Sequence, residues 1–360
     1  MLWAKDFKCA FEYLRGASDS PGFSVEVMPP IVRFVAPCNG YVAQYETRLI
    51  RDVNAWFLTH VGFQELDVFP LKRENVIVFD TSNYEKVAIH EVGPNGNTVA
   101  SVITERYSLD ITAWFASDGS SRCVAGQALP DIGATVAQLC FDGRRLLAPH
   151  KPLATSSTPR EVTFVLTNGG GCHVISDGNF ITKTSWQEAD IDLHHIHRFT
   201  VDSRVLWLEG RHVEMKLDTK QQATFSIRSG NGIRRMVFVA NKAIEYQLPR
   251  IDDTWCVAYV AIPGDDFCLP SEVSLHVEDD RVRVVTCGDC GEKNMSIGHV
   301  LSGHAPFISH KLNGSVFHEA MRACGNAALM YLPQTPAPIV LRGQDGAWRY
   351  LFGQVKRIVR

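Results

Sequence analysis

The feature that most constrains this chain is that it repeats itself. The stretch REVTFVLTNGGGCHVISDGN (160–179) matches SEVSLHVEDDRVRVVTCGDC (271–290) in plan. Both open Glu-Val-Thr/Ser-Phe/Leu with strand alternation and turn through a Gly- or Asp-rich hinge. Both return as a Val-rich strand into a D-G or G-D turn. A second unit recurs as FTVDSRVLWLEGRHVEMKLDTKQQATFSIRSG (199–230), as FISHKLNGSVFHEAMRACGNAALMYLPQTPAPIVLRG (307–343) and as FPLKRENVIVFDTSNYEKVAIHEVGPNGNTVASVIT (69–104). In each, a Phe opens the unit, a helix-length segment follows, and two strands flank a turn. The opening residues Phe69, Phe199 and Phe307 lie 130 and 108 positions apart. Three copies of a domain of about 110–130 residues therefore fill the chain. The expected architecture is α+β, with domains at 1–122, 123–250 and 251–360. Leading helices are expected over 6–16 and 130–140. The third copy has the β-rich TWCVAYVAIPG in that place.

Composition adds limits. The chain is 45% apolar and 21% charged, a balance that builds a core without staples. Its formal charge of −3 shows no global basicity, although a local stripe can be basic while the rest is acidic. Ten cysteines scattered over 360 residues read as reduced thiols in a cytosolic protein. Lys5, Asp6 and Lys8 interrupt any apolar h-region near the start, and no run of about 18 apolar residues exists. The expected location is cytoplasmic, with no signal peptide and no membrane span.

Cys287 and Cys290 form a C-x-x-C pair, which raises the question of a metal knuckle or a redox dithiol. A structural zinc site needs four ligands, and no second such pair exists. The only histidine cluster, HHIH at 194–197, is not coupled to it by spacing. A redox dithiol would open a helix after a strand, whereas a hairpin pattern precedes this pair and more strand follows. In the repeat, CGDC occupies the place of SDGN, so a turn explains it best. No Walker loop, G-x-S-x-G or H-E-x-x-H is present, and RSGNGIRR (228–235) is a hairpin turn rather than a dinucleotide fingerprint. The acidic pairs Asp252-Asp253, Asp265-Asp266 and Asp279-Asp280 fall in turns, where such pairs are common. The reading is of a protein without catalytic residues, metal or cofactor.

The order of these elements resembles the bacterial-type DNA polymerase sliding clamps (beta clamps, processivity factors). The closing segment, a Phe-led helix followed by AALMYLPQTPAPIVLRGQDGAWRYLF, is similar to their last domain. VISDGNFIT resembles their strand–Thr-Asp-Gly–strand element, and YQLP (246–249) resembles the Pro-ended strand that closes their second domain. The likeness covers about 128–358 well and the first domain loosely. It implies a head-to-tail homodimeric ring around duplex DNA, with helices inside and strands outside, tethering a replicative polymerase and a clamp loader. A β-rich structural protein such as a virion component is the competing reading, and oligomer geometry separates the two.

The resemblance also implies two surfaces. Sequence-independent contact with DNA phosphates would fall to basic residues on the expected helices: Lys5, Lys8, Arg15, Lys72 and Arg73 in the first copy, Arg144, Arg145, Arg204 and Arg211 in the second, Lys311 and Arg322 in the third. An apolar cleft for partner peptides would be lined by Ser176, Asp177, Gly178, Phe180 and Ile181, by Pro249, and by Leu351, Phe352 and Val355. The chain departs from the family pattern in both cleft elements. Asn179-Phe180 follows the Asp-Gly, and a basic FGQVKRIVR closes the chain. These departures bear on the identity of the partners.

Overall fold

The computed structural model describes residues 1–18, 20–38, 41–51, 56–107, 111–115, 121–125, 134–150, 161–167, 170–176, 180–186, 196–208, 210–243, 248–262, 272–278, 280–288, 291–303, 310–333 and 338–352. They form two compact units, Met1–Asp142 with Gly210–Asn241, and Gly143–Glu209 with Lys242–Arg360. The second repeat is thus shared, one group of its strands in each unit.

The first unit holds a large antiparallel sheet built from three groups of four strands, and a separate two-stranded one, Ile111–Phe115 with Ser121–Ala125. One group is Leu2–Trp3, Val76–Asp80, Lys86–Val92 and Thr98–Tyr107. The next is Phe57–Gly62, Gly22–Met28, Ile31–Cys38 and Tyr41–Arg48. The third, from the second repeat, is Gly232–Val239, Gln222–Ser229, Val213–Asp218 and Thr135–Phe141. Helix α1 (Ala4–Ala17) lies on this sheet. It forms because Ala4, Phe7, Ala10, Phe11, Leu14 and Ala17 recur at helical spacing, and all are buried. Phe7 meets Phe34 edge-on at 5.5 Å, and the one-turn helix α2 (Phe63–Leu66) adds Phe63 against Phe11 and Phe23. Each such ring contributes about 1.5–3 kcal/mol by burial.

The second unit repeats the plan. Its groups are His197–Asp202, Glu161–Thr167, Gly170–Ser176 and Phe180–Trp186; then Trp348–Leu351, Ile339–Arg342, Ala327–Leu332 and Cys256–Ala261; then Gly291–Ser302, Arg281–Gly288, Glu272–Glu278 and His310–Asn313. The short helix α3 (Gly143–Leu146) precedes them, and a 3-10 turn (Ser203–Trp207) follows the His197–Asp202 strand. Helix α4 (Gly314–Ala323) buries Phe317, Ala320 and Met321 against Val273, Leu275, Val284, Met330 and Leu341. Asn313 caps α4 by accepting the Val316 N–H at 3.2 Å. Gly325 and Asn326, both at positive φ, end it.

One pairing rule joins consecutive repeats. The third strand of a repeat's hairpin group pairs with the last strand of the following repeat. Tyr41–Arg48 pairs with Gly232–Val239, from Tyr41 opposite Phe238 to Glu46 opposite Ile233. Phe180–Trp186 pairs with Trp348–Leu351, from Phe180 opposite Leu351 to Lys183 opposite Trp348. The first seam is close-packed: a Cβ on Gly232 would sit 2.4 Å from the Tyr45 ring, and Tyr41 stacks on Phe238 at 5.3 Å.

The leading helix of copy one and the strand in that place in copy three stand as expected, as do the hairpins at 161–176 and 272–288. Two expected helices are corrected. The described part of 130–140 is strand, because Ala137, Leu139 and Phe141 point inward while Val136, Gln138 and Cys140 point out, a period of two. No helix follows Phe69. Pro70 cannot donate a backbone bond, Leu71 takes a positive φ of 47°, and the buried Glu91 organises the turn. Its carboxylate accepts from Leu71 N (2.9 Å), Lys72 N (3.1 Å) and Asn75 Nδ2 (2.5 Å).

Candidate peptide cleft and basic surfaces

The sheet of the second unit has two differently used faces, and strand alternation sets them. Met330, Leu332, Ile339, Leu341 and Leu351 turn toward α4. On the other face Ile181, Val340 and Tyr350 form a second apolar cluster with Trp255. Half-buried Leu248, Ile251, Tyr331, Trp348 and Phe352 pack around it. Register explains the gathering, since Tyr331 lies opposite Val340, Val340 opposite Tyr350, and Tyr350 opposite Ile181. The Tyr331 and Trp348 rings stand 5.5 Å apart, and the Arg342 guanidinium lies 4.9 Å above the Trp348 ring.

Of the residues expected to line a cleft, Ile181 and Phe352 meet in this cluster. Pro249 sits half-buried between its members Leu248 and Ile251, outside any strand. Leu351 belongs to the α4 core instead, one residue out of phase. Ser176 ends a strand and Phe180 begins the next, paired to Leu351. Asp177, Gly178 and Val355 lie outside the described residues. Sequence reasoning passed over Trp255, Tyr331, Val340, Trp348 and Tyr350. For Val340, Trp348 and Tyr350 the signal was available in the alternating IVLR and WRYL strands, whose odd and even residues serve different faces.

Behind the strand Trp348–Leu351 lies a buried charge. Arg349 is 1% exposed and holds three elements together. It donates to both oxygens of Asp345, to Cys324 Sγ at 3.4 Å and to Pro149 O at 3.4 Å. Burial is the largest influence and works against its charge, but the Asp345 hydrogen bonds, the Asp345 charge and the Cys324 sulfur together outweigh it and hold the Arg349 pKa above the ordinary value. Burial pushes the Cys324 thiol up to about 11, with Arg349 opposing. Nearby, His150 Nε2 and Thr184 Oγ1 are 2.9 Å apart, and Thr184 Oγ1 donates to Leu146 O. The segment after α3 is thereby fixed to the strand Phe180–Trp186.

The basic residues are more dispersed than expected. Lys5, Lys8 and Arg15 lie on α1, Arg144 and Arg145 on α3, Arg204 on the 3-10 turn and Arg322 on α4. Lys72 and Arg73 occupy the Glu91-organised turn, Arg211 a bend, and Lys311 a strand, so none of these four is helical. Lys8 pairs with Glu12 (3.8 Å), Arg15 with Asp67 (2.7 Å) and Lys311 with Glu272 (3.4 Å). Lys72, Arg73, Arg144, Arg145 and Arg211 are exposed.

Cys287 pairs with Glu292 and Gly288 with Gly291, so the cysteine motif falls at a hairpin end; Cys290 lies outside the described residues. His197 opens a strand, and the two preceding histidines of HHIH also lie outside them. Among the described residues no group of three or more His, Cys, Asp or Glu is placed to hold a metal, and no helix is long and apolar enough to cross a membrane.

No protein-family model and no curated protein matches the chain by sequence. Solved structures do match. The DNA polymerase III subunit beta of Pseudomonas aeruginosa superposes with a TM-score of 0.70 at 10% identity, covering 99% of each chain. The fold is the sliding-clamp fold. A Helicobacter pylori beta clamp bound to a DNA ligase peptide gives 0.66 at 13% identity, covering 98% of this chain and 99% of that one. The same organism's beta clamp in complex with 3,4-difluorobenzamide gives 0.70 at 11% identity and 99% coverage of both. The sliding-clamp fold spans the first repeat as fully as the other two.

Proposed function

We propose that this chain is a sliding clamp: a head-to-tail homodimer that closes around duplex DNA and tethers a polymerase and other partners without doing chemistry itself. Two leftover strand edges carry the reading. Applied once more, the rule that joins repeats asks the third-copy strand Gly291–Ser302 to pair with a last strand from a following repeat, and the chain has none left: beside Arg281–Gly288 it meets Cys256–Ala261 only from Gly298 to Ser302, so 291–297 pair on one side only among the described residues. The equivalent last strand of the first copy, Thr98–Tyr107, pairs on its second side only at Arg106 and Tyr107 among the described residues. It leaves Val99 50% and Ile103 64% exposed. An open, apolar strand edge invites another strand. A second copy supplies one, and a heterologous contact that closes gives a ring. The whole-chain likeness to bacterial clamps supports the same reading.

In this reading the three repeats are domains at 1–122, 123–250 and 251–360. Lys5, Lys8, Arg15, Lys72, Arg73, Arg144, Arg145, Arg204, Arg211, Lys311 and Arg322 attract phosphates without base readout. The cluster around Ile181, Pro249, Tyr350 and Phe352 takes peptide anchors, as the ligase peptide bound to the H. pylori clamp suggests. Ser176, Asp177, Gly178, Phe180 and Val355 would flank it, with the protein in the cytoplasm. The test is topological. The protein, loaded on nicked circular DNA, should be retained through gel filtration and released when the circle is linearised. A monomer by solution mass, or an assembly without a central opening by electron microscopy, would overturn it.

A further inference from the structure

A row of side chains crosses the sheet next to the apolar cluster, on the same face. Register defines it: His299 lies opposite Tyr259, Tyr259 opposite Leu329, Leu329 opposite Arg342, Arg342 opposite Trp348, and Trp348 opposite Lys183. Arg281, opposite His299, extends it by one strand. Directly paired residues of an antiparallel sheet share a face, so these groups stand side by side. Arg281, His299, Tyr259 and Arg342 are exposed, and Lys183, Leu329 and Trp348 are half-buried.

The neighbouring row, two residues along each strand, runs Val257, Tyr331, Val340, Tyr350 and Ile181, which is the apolar cleft itself. Between Lys183 and Arg281 neither row contains an aspartate or glutamate, and Glu278, opposite Arg281 on the next strand, ends the cationic stretch. A cationic track therefore borders an apolar one, about 7 Å away along the strands.

We infer that the partner's linear segment carries an acidic stretch beside its apolar anchors, and that this stretch lies along the row from Lys183 to Arg281. The inference rests on the cleft reading above and names the chemistry of the cleft's occupant. Three features select an acidic peptide. The row is continuous with the cleft, so one chain reaches both. Arg342 and Arg281 face solvent and Lys183 is half-buried, with no carboxylate between Lys183 and Arg281 in the row, which makes this stretch complementary to an anionic chain. Trp348 is engaged by Arg342 and Tyr331, and the exposed Tyr259 and His299 stand against each other at 5.9 Å; the row therefore offers no run of separate open rings for the successive base stacking that single-stranded nucleic acid uses. Six strand steps span about 29 Å, the reach of eight or nine extended residues.

The test compares two fluorescent synthetic peptides, each with a Leu–Phe anchor pair followed by eight glutamates or by eight glutamines. They are titrated against the full chain at low salt. The glutamate peptide should bind about tenfold tighter, and added salt should erase the difference. The triple variant Arg281→Gln, Arg342→Gln, Lys183→Gln should lose that advantage while binding the glutamine peptide as the parent does. Equal binding of both peptides by the parent, with both lost in Tyr350→Ala, would leave the cleft standing and sink the row. Binding of neither peptide would remove the cleft reading and the row with it. A dT15 oligonucleotide that binds through these three cations while the glutamate peptide gains nothing from them would make the row a nucleic-acid track and overturn the proposal.

Discussion

Arg349 donates both terminal nitrogens to the carboxylate of Asp345, Nη2 to Oδ2 at 2.5 Å and Nη1 to Oδ1 at 3.2 Å, from a position with almost no solvent exposure. A bidentate pair of this kind is strong and specific in direction. It sits between the α4 end at Cys324 and the Pro149 carbonyl, so it sets how the strand Trp348–Leu351 is held from behind.

Asp345→Ala should therefore destabilise the chain by about 2–3 kcal/mol, because it leaves a buried guanidinium without its anion. Pairing it with Arg349→Met should recover most of the loss, since the orphaned charge goes too. Urea denaturation of the three variants checks this. Equal losses in the single and double variants would show that packing matters here and the ion pair does not. Gly343→Ala should resemble the single variant, as its Cβ would lie 2.8 Å from Asp345 Oδ1 and 3.1 Å from the Cys324 Cα.

Glu91 collects two backbone N–H groups and the Asn75 amide in a fully buried site. Glu91→Ala should cost about 2–4 kcal/mol, since three donors lose their acceptor. The loss should be local. Amide exchange at Leu71 and Lys72 should accelerate far more than at Leu14 in helix α1 of the same unit. Uniform acceleration would mean that Glu91 supports the whole unit and not just this turn.

These two carboxylates mark where the sequence was least legible. The hairpins could be read because alternation and turn residues are local signals. The α1 stripe from Ala4 to Ala17 could be read because its period is local too. The turn after Phe69 depends on Glu91, some twenty residues away, and copy one loses its helix there. The stretch around Val136 to Cys140 carries apolar residues that a helix could also use, and its pairing with Val213–Asp218 decides for strand. In the apolar cluster, Ile181 and Phe352 were named by likeness. Leu351 joins the α4 core instead, because neighbours in one strand face opposite ways. Trp255, Trp348 and Tyr331 come together only through register across four strands.

His60 supplies a pH dependence. Burial lowers its pKa to about 4, with Glu105 opposing, and Ser24 Oγ lies 2.9 Å from its Nδ1. The folded state thus holds it neutral where the unfolded chain, near the ordinary 6.5, takes up a proton. Its contribution is complete above pH 6.5 and is lost as pH falls toward 4, at up to about 1.4 kcal/mol per unit. His60→Gln should be less sensitive than the parent across that window and should differ little in slope above pH 7. Parallel stability curves for the two proteins from pH 7 to 4 would refute the assignment.

The open edge at Thr98–Tyr107 gives the sharpest prediction about assembly. Its outward residues Val99 and Ile103 are apolar, and an isolated soluble protein gains nothing by exposing them on an unpaired strand. If they meet the Gly291–Ser302 strand of a second copy, a charge at Ile103 must be desolvated in the contact, while in a monomer it stays in water. Ile103→Glu should therefore weaken the dimer at least 100-fold by sedimentation, with thermal stability of the separated chain unchanged within about 0.5 kcal/mol. Tyr84→Glu, an exposed change beyond that edge strand, should leave the dimer intact. A normal dimer in Ile103→Glu would place the interface elsewhere and remove the edge argument on which the ring is built.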